Sequence, residues 1–218
     1  MTVKDLGARL AAHAAWLAGD PTGTRLNLTS ADLTRASLAG ADLSRAVLWS
    51  TVLDEADLRG ARLVGAQLLS AYLAGALLDG AVLTRADLHK VEASEASFAG
   101  AVLTEARLQR GSFFRASFRG ADLRGAVLTD GLFASADLTG ANVSSAALTG
   151  AGFAEAVMDR VVAAGAVGGV LSDPVLVGGQ ARSVVEVLNA AGGTVHPGYP
   201  NEPAGHEVQQ WMDKYLER

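Results

Sequence analysis

The chain has 218 residues, half of them hydrophobic but only 6% aromatic, and a formal charge of −5. That length buries a sizeable core made mainly of Leu and Ala, while the mild charge names no partner. The absence of cysteine excludes disulfides, zinc-thiolate sites and thiol catalysis, and suits a cytoplasmic protein.

Thr2 to Ala18 is predicted to be a helix. Thr2 and Asp5 have capping-box spacing, Val3, Leu6, Leu10, Ala14 and Leu17 recur at three to four residues, and Gly19-Asp20-Pro21 stops the segment. Asp5 and Arg9 interrupt it too early for a secretory signal, and no run of 18 apolar residues follows anywhere, so no membrane span is expected. The helix is expected to lid what comes next, with His13 on or near its apolar stripe as a packing residue.

From Leu26 to Arg160 the chain repeats every five residues, in 27 units without an insertion. The third residue of each unit is Leu, Phe, Val or Met in 26 of the 27, with Ala93 the exception, and the first is Ala in 22. On an α-helix, residues five apart are displaced by about 140°, so the leucines would spiral over every face. In a flat strand an odd period would send them to alternate sides. A shared interior therefore requires a corner in each unit. Glycines at the fifth position, among them Gly40, Gly60, Gly80 and Gly120, sit where such a turn wants a positive φ. The outcome is an all-β solenoid.

The units Ala31-Asp32-Leu33-Thr34-Arg35, Ala41-Asp42-Leu43-Ser44-Arg45, Ala56-Asp57-Leu58-Arg59-Gly60, Ala121-Asp122-Leu123-Arg124-Gly125 and Ala136-Asp137-Leu138-Thr139-Gly140 resemble the A(D/N)LxG signature of the pentapeptide-repeat family. That resemblance implies a right-handed quadrilateral β-helix with four units per coil and about seven coils. At roughly 4.8 Å per coil the rod would be about 30 Å long.

With 20 residues per coil, outward residues 20 apart stack in columns. Trp49, Leu69 and His89 form one column, and Val52, Tyr72 and Glu92 form its neighbour across a corner made by Ser50, Ser70 and Lys90. Trp49, Val52, Leu69 and Tyr72 are thus an apolar patch at positions elsewhere polar. Three readings stand: contact with a protein partner, cover by a terminal helix, or tolerated exposure. In the irregular unit beside it, Val91 takes the small position and Ala93 the large one, which nearly conserves volume. A catalytic reading would use His89, Lys90 and Glu92 with Glu95 for proton transfer, but nothing in the sequence supplies a pocket.

Arg107, Arg110, Arg115, Arg119 and Arg124 are interleaved with Phe113, Phe114 and Phe118. In this register Phe113 and Phe118 point inward and the arginines divide over several faces, so they are read as solvated surface, and no direct nucleic-acid binding is expected.

After Arg160 the pattern decays and Pro174 ends regular continuation. Ser183 and Glu186 have capping-box spacing ahead of a stripe of Val184, Val187, Leu188 and Ala191, a helix that closes the second end. Pro197, Gly198, Pro200, Pro203 and Gly205 read as a linker. His196 and His206 have no ligand companions, so neither metal nor cofactor is expected. From about His206 to Leu216 a last helix places Val208, Trp211, Met212, Tyr215 and Leu216 on one stripe. It either covers the Trp49 and Tyr72 patch or docks on another molecule; resemblance to gyrase-binding family members implies a homodimer through C-terminal elements. The predicted organisation is a capping helix and turn in 1–25, the β-helix in 26–160, a degenerate coil and closing helix in 161–192, and linker plus amphipathic helix in 193–218.

No phosphate-cradling loop or nucleophile-base pair is present. The expected function is a non-catalytic interaction or scaffold protein. Family resemblance implies DNA gyrase or another type II topoisomerase as a partner, with a link to antibiotic resistance or self-protection. Leu26 to Arg160 carries 15 acidic and 12 basic residues, a net of −3, and so departs from a one-signed mimic of DNA. The alternative is a small-molecule binding or catalytic role for the Trp49/Tyr72 patch with His89 and Glu92.

Overall fold

The computed structural model describes residues 3–171 and 174–197. Its body is a four-sided coil of 20 residues. Parallel bridges pair Asn27 with Val47, Val47 with Gln67, and so on along one face to Val167, and the other three faces repeat the pattern from Asp32, Ser37 and Asp42. First-position alanines and third-position leucines of the central coils are wholly buried, as the five-residue period requires.

Each unit satisfies its backbone in one repeated way. The N–H of Leu28 donates to the carbonyl of Val47, that of Ser30 to Trp49, and that of Val47 back to Leu26, while Ala31 closes the turn onto Leu28. The fifth residue of every one of the 27 units has a positive φ, the type II turn pattern. The glycines were only part of the signal: 17 of these residues are not glycine, including Arg35, Lys90 and Glu105. A left-handed conformation costs an L-residue roughly 1–2 kcal/mol, which stacking on both sides overrides.

This scheme leaves the fourth-position N–H, and an Asp or Asn at position two accepts it. Asp32 accepts the N–H of Thr34 at 3.0 Å, Asp57 that of Arg59 at 3.2 Å and Asn142 that of Ser144 at 3.0 Å. The second letter of the repeat is therefore a hydrogen-bond acceptor. Asp57 is held down to about 2, first by the Arg59 side chain and then by that backbone bond; Asp32 and Asp122 are also held low by side-chain bonds. Depressed carboxyl groups stabilise the fold above the unfolded value near 3.8 and cease to do so as pH falls towards the folded one. The melting temperature is expected to fall most steeply between pH 4 and 2. Asp57→Asn, which keeps the acceptor, should melt above Asp57→Ala at pH 7.

Two ladders of rings fill the middle of the core. Phe98 stacks on Phe118 at 4.9 Å, and Phe113 on Phe133 at 4.9 Å. The first-position residues Gly111 and Gly131 make room: a Cβ at either would stand 2.7 or 2.8 Å from the phenyl ring two residues later.

Helix α1 (Val3–Leu17) packs on the first coil through Leu6, Leu10 and His13, so His13, and not the exposed Ala14, completes the stripe. Gly19, with φ +81, ends it. At the other end the coil geometry runs one unit past Arg160, to Gly165. Strand β1 (Ala151–Gly152) pairs in parallel with β2 (Val167–Leu171), the short β3 (Val175–Val177) and β4 (Gln180–Arg182) form an antiparallel pair, and α2 (Val184–Ala190) buries Val184 and Leu188. Residues 194–197, predicted as linker, are instead a strand, β5 (Thr194–Pro197), parallel to β2. The reason is the open edge of β2, which needs backbone partners; a proline is tolerated at the end of such an edge strand.

Candidate interaction surface

The columns expected from a 20-residue coil are present: Val52 bridges Tyr72, and Tyr72 bridges Glu92. Trp49 is 45% exposed, Tyr72 46% and Leu69 37%, with Val52 half-buried between them. Leu77, one corner further along the coil of Tyr72, is 39% exposed and carries the apolar surface onto a third face. Its signal was in the sequence, a leucine at a second position, but one column away from those singled out.

These side chains stand out because the turns are stiff. Ser50 and Ser70 hold φ at 50 and 54, and their N–H groups donate to Leu69 and His89. Thr51, buried inside the corner, donates its hydroxyl to the carbonyl of Leu28 at 2.8 Å.

The polar rim lies one coil on. His89 is half-buried, its backbone N–H bonded to Asp87 at 3.1 Å and its Nδ1 buried without a hydrogen-bond partner. Burial lowers its pKa, and Lys90, Arg110 and Arg107 add to that against Asp87. Gln109 Oε1, one coil further along the column of His89, is likewise buried and unbonded. Glu92 is exposed as a residue, yet crowding around its carboxyl raises its pKa. His89 and Glu92 do not hydrogen-bond to each other, so the corner holds no proton-relay pair. Among the described residues no group of three His, Cys, Asp or Glu could hold a metal ion.

The arginines are distributed as expected. Arg119 pairs with Asp137 at 2.6 Å, Arg124 with Asp122 at 2.6 Å, Arg110 with Asp130 at 3.6 Å and Arg115 with Glu95 at 3.8 Å. Arg115 also lies over the Phe114 ring, 4.8 Å from its centre. A cavity of about 420 Å³ lies away from the patch, between the last coil and α2, lined by Met158, Arg160, Val161, Arg182, Val187 and Ala190 among others. Val208, Trp211, Met212, Tyr215 and Leu216 lie outside the described residues.

The molecule is thus a solenoid of stacked four-sided coils that carries an apolar patch in the open at one corner. The chain belongs to the pentapeptide repeat family, whose model matches in eight copies over residues 31–68, 66–104, 81–120, 94–130 and 112–153. Membership implies the right-handed quadrilateral winding. HetL, a pentapeptide repeat protein involved in heterocyst differentiation regulation from the cyanobacterium Nostoc sp. strain PCC 7120, is 26% identical; the match covers 76% of this chain and 89% of that one, with a TM-score of 0.35. QnrB1, a plasmid-mediated fluoroquinolone resistance protein, is 17% identical over 89% of this chain and 97% of that one, with a TM-score of 0.44. A pentapeptide repeat protein from the Arabidopsis thaliana thylakoid lumen is 31% identical over 48% of this chain and 66% of that one, with a TM-score of 0.33. No curated protein sequence matches the chain. No helix among the described residues is long and apolar enough to cross a membrane.

Proposed function

We propose that this chain is a non-catalytic interaction protein whose recognition surface is the corner formed by Trp49, Val52, Leu69 and Tyr72, extended by Leu77 and rimmed by His89, Lys90 and Glu92. The observation that carries this reading is the presence of two half-exposed aromatic rings and two exposed leucines on neighbouring coils of a regular stack. Large aromatic anchors on a preorganised backbone bind a partner at little entropic cost. The patch spreads over neighbouring faces of the coil, whereas a small-molecule site would need enclosure.

Family resemblance makes a type II topoisomerase the first partner to test. Contact through the apolar corner fits better than mimicry of DNA, because Arg35 pairs with Glu55 and Arg85 with Glu105 between stacked coils, which breaks up any one-signed face. In a gyrase supercoiling assay the protein should inhibit or protect in a dose-dependent way, and the double variant Trp49→Ser, Tyr72→Ser should lose at least tenfold in potency. No effect at high micromolar concentration removes the topoisomerase. Equal potency of the variant removes the patch.

A further inference from the structure

The cavity between the last coil and α2 shares no residue with the Trp49 corner. At about 420 Å³ it falls within the size range of small-molecule sites. Met158, Val161, Val177 and Val187 give it apolar walls, the first two buried and the others half-buried, and its charged lining is Arg160, Arg182 and Glu186.

The two arginines lack the partners that others in the rod have. Several corner arginines meet a carboxylate one coil away: Arg35 pairs with Glu55, Arg85 with Glu105 and Arg110 with Asp130. Arg160 has Gly140 one coil before it, in a corner column that is glycine in every earlier coil from Gly40, and the regular coil stops at Gly165. Its neighbour Asp159 accepts the N–H of Gly178. Arg182 ends the short strand β4. Among the described residues neither guanidinium forms an ion pair or a side-chain hydrogen bond, with Glu186 or with any other group.

We propose that this cavity binds an amphiphilic carboxylate of the medium-chain fatty acid class, with its carboxylate on Arg160 and Arg182 and its chain along Met158, Val161 and Val187. Two guanidiniums against the single Glu186 leave one positive charge in the lining, which matches a monoanion. Guanidinium suits this head group because its planar fork of N–H donors meets both carboxylate oxygens. Apolar walls alone would accept any oily molecule of the right size, and the unpaired cations select the acid. The reading does not rest on the Trp49 corner.

Titration calorimetry of the full-length chain with decanoate should show one saturable site. Hexanoate should bind at least tenfold more weakly, since each buried methylene removed costs about threefold to fourfold in affinity. Decanol, which keeps the tail without the charge, should also bind at least tenfold more weakly. The double variant Arg160→Gln, Arg182→Gln should lose at least tenfold in decanoate affinity and keep the parent's affinity for decanol, while Ala190→Trp, which fills the cavity and leaves both arginines, should abolish binding of both. No saturable decanoate binding at millimolar concentration overturns the proposal, and so does equal affinity for decanol. Those two outcomes are read on the parent chain and need no variant to fold. Unchanged decanoate affinity in the arginine variant would overturn it as well, by placing the ligand elsewhere. None of these substitutions touches Trp49 or Tyr72, so this result and that of the supercoiling assay are independent.

Discussion

Replacing Phe118 with alanine is expected to lower the unfolding free energy by about 3–5 kcal/mol. The ring is fully buried, stacks on Phe98 at 4.9 Å and meets Phe113 and Phe133 edge-on at 5.5 and 5.7 Å. A stacked backbone cannot close over the hole, because each coil is held at its spacing by bonds to the coils on either side. The position adds to the effect. In a solenoid each coil is stabilised only by its neighbours, so a defect near the middle divides the stack into two weaker blocks, whereas one near the end only frays it. Denaturant unfolding followed by circular dichroism should show both a lower midpoint and a broader transition for Phe118→Ala, with a smaller change for Met158→Ala near the end of the coil. A Phe118→Ala loss below 1 kcal/mol would show that the aromatic ladder does not hold the centre together.

Loss of the His13 side chain is expected to release α1. The buried imidazole joins helix to coil with both nitrogens: Nδ1 accepts the N–H of Leu26 at 3.0 Å, which leaves Nε2–H to donate to the carbonyl of Ser44 at 3.1 Å. The ring also stacks on Trp16 at 5.6 Å, and Trp16 in turn lies under the Arg45 guanidinium at 5.2 Å. His13→Leu fills the space but strands a buried donor and a buried acceptor, at about 1–3 kcal/mol each. This bridge needs the neutral ring, since a second proton on Nδ1 would face the N–H of Leu26. Burial accordingly lowers the His13 pKa below 6.5, opposed in part by Ser44 and Asp42. Well above pH 6.5 the ring is neutral in folded and unfolded chains alike, and the cap keeps its full stability. As pH falls below that value the unfolded chain takes up a proton that the folded one resists, so the cap weakens. Amide exchange within Val3–Leu17 should quicken between pH 6.5 and 5 relative to the central coils, after correction for intrinsic rates, and His13→Leu should remove that pH dependence.

Residues differ in how openly they declared themselves. Leu58 and Ala56 were legible at once, because a five-residue period leaves one arrangement in which they share an interior. The column Val52, Tyr72, Glu92 followed from multiplying that period by four. Arg35 and Glu105 did not announce their positive φ, since nothing in an arginine or a glutamate favours it; the stack imposes it. Asp32 and Asp57 looked like surface charge until the backbone showed which N–H lacked an acceptor. β5 was hidden because Thr194–Pro197 reads as a turn-rich tail, and only the open edge of β2 makes it a strand.

The sequence by itself determined the coil: short-range repetition fixes where the chain must bend, and a period kept without insertion fixes what stacks on what. The tertiary structure alone decided the ends and the outer surface. His13 becomes a bridge only when helix and first coil meet, and Ala134 is buried where Ala74 is exposed because it packs with Leu132, Ala154 and Phe114. Repetition specifies neighbours along one axis, while caps and covers depend on contacts between segments that share no period.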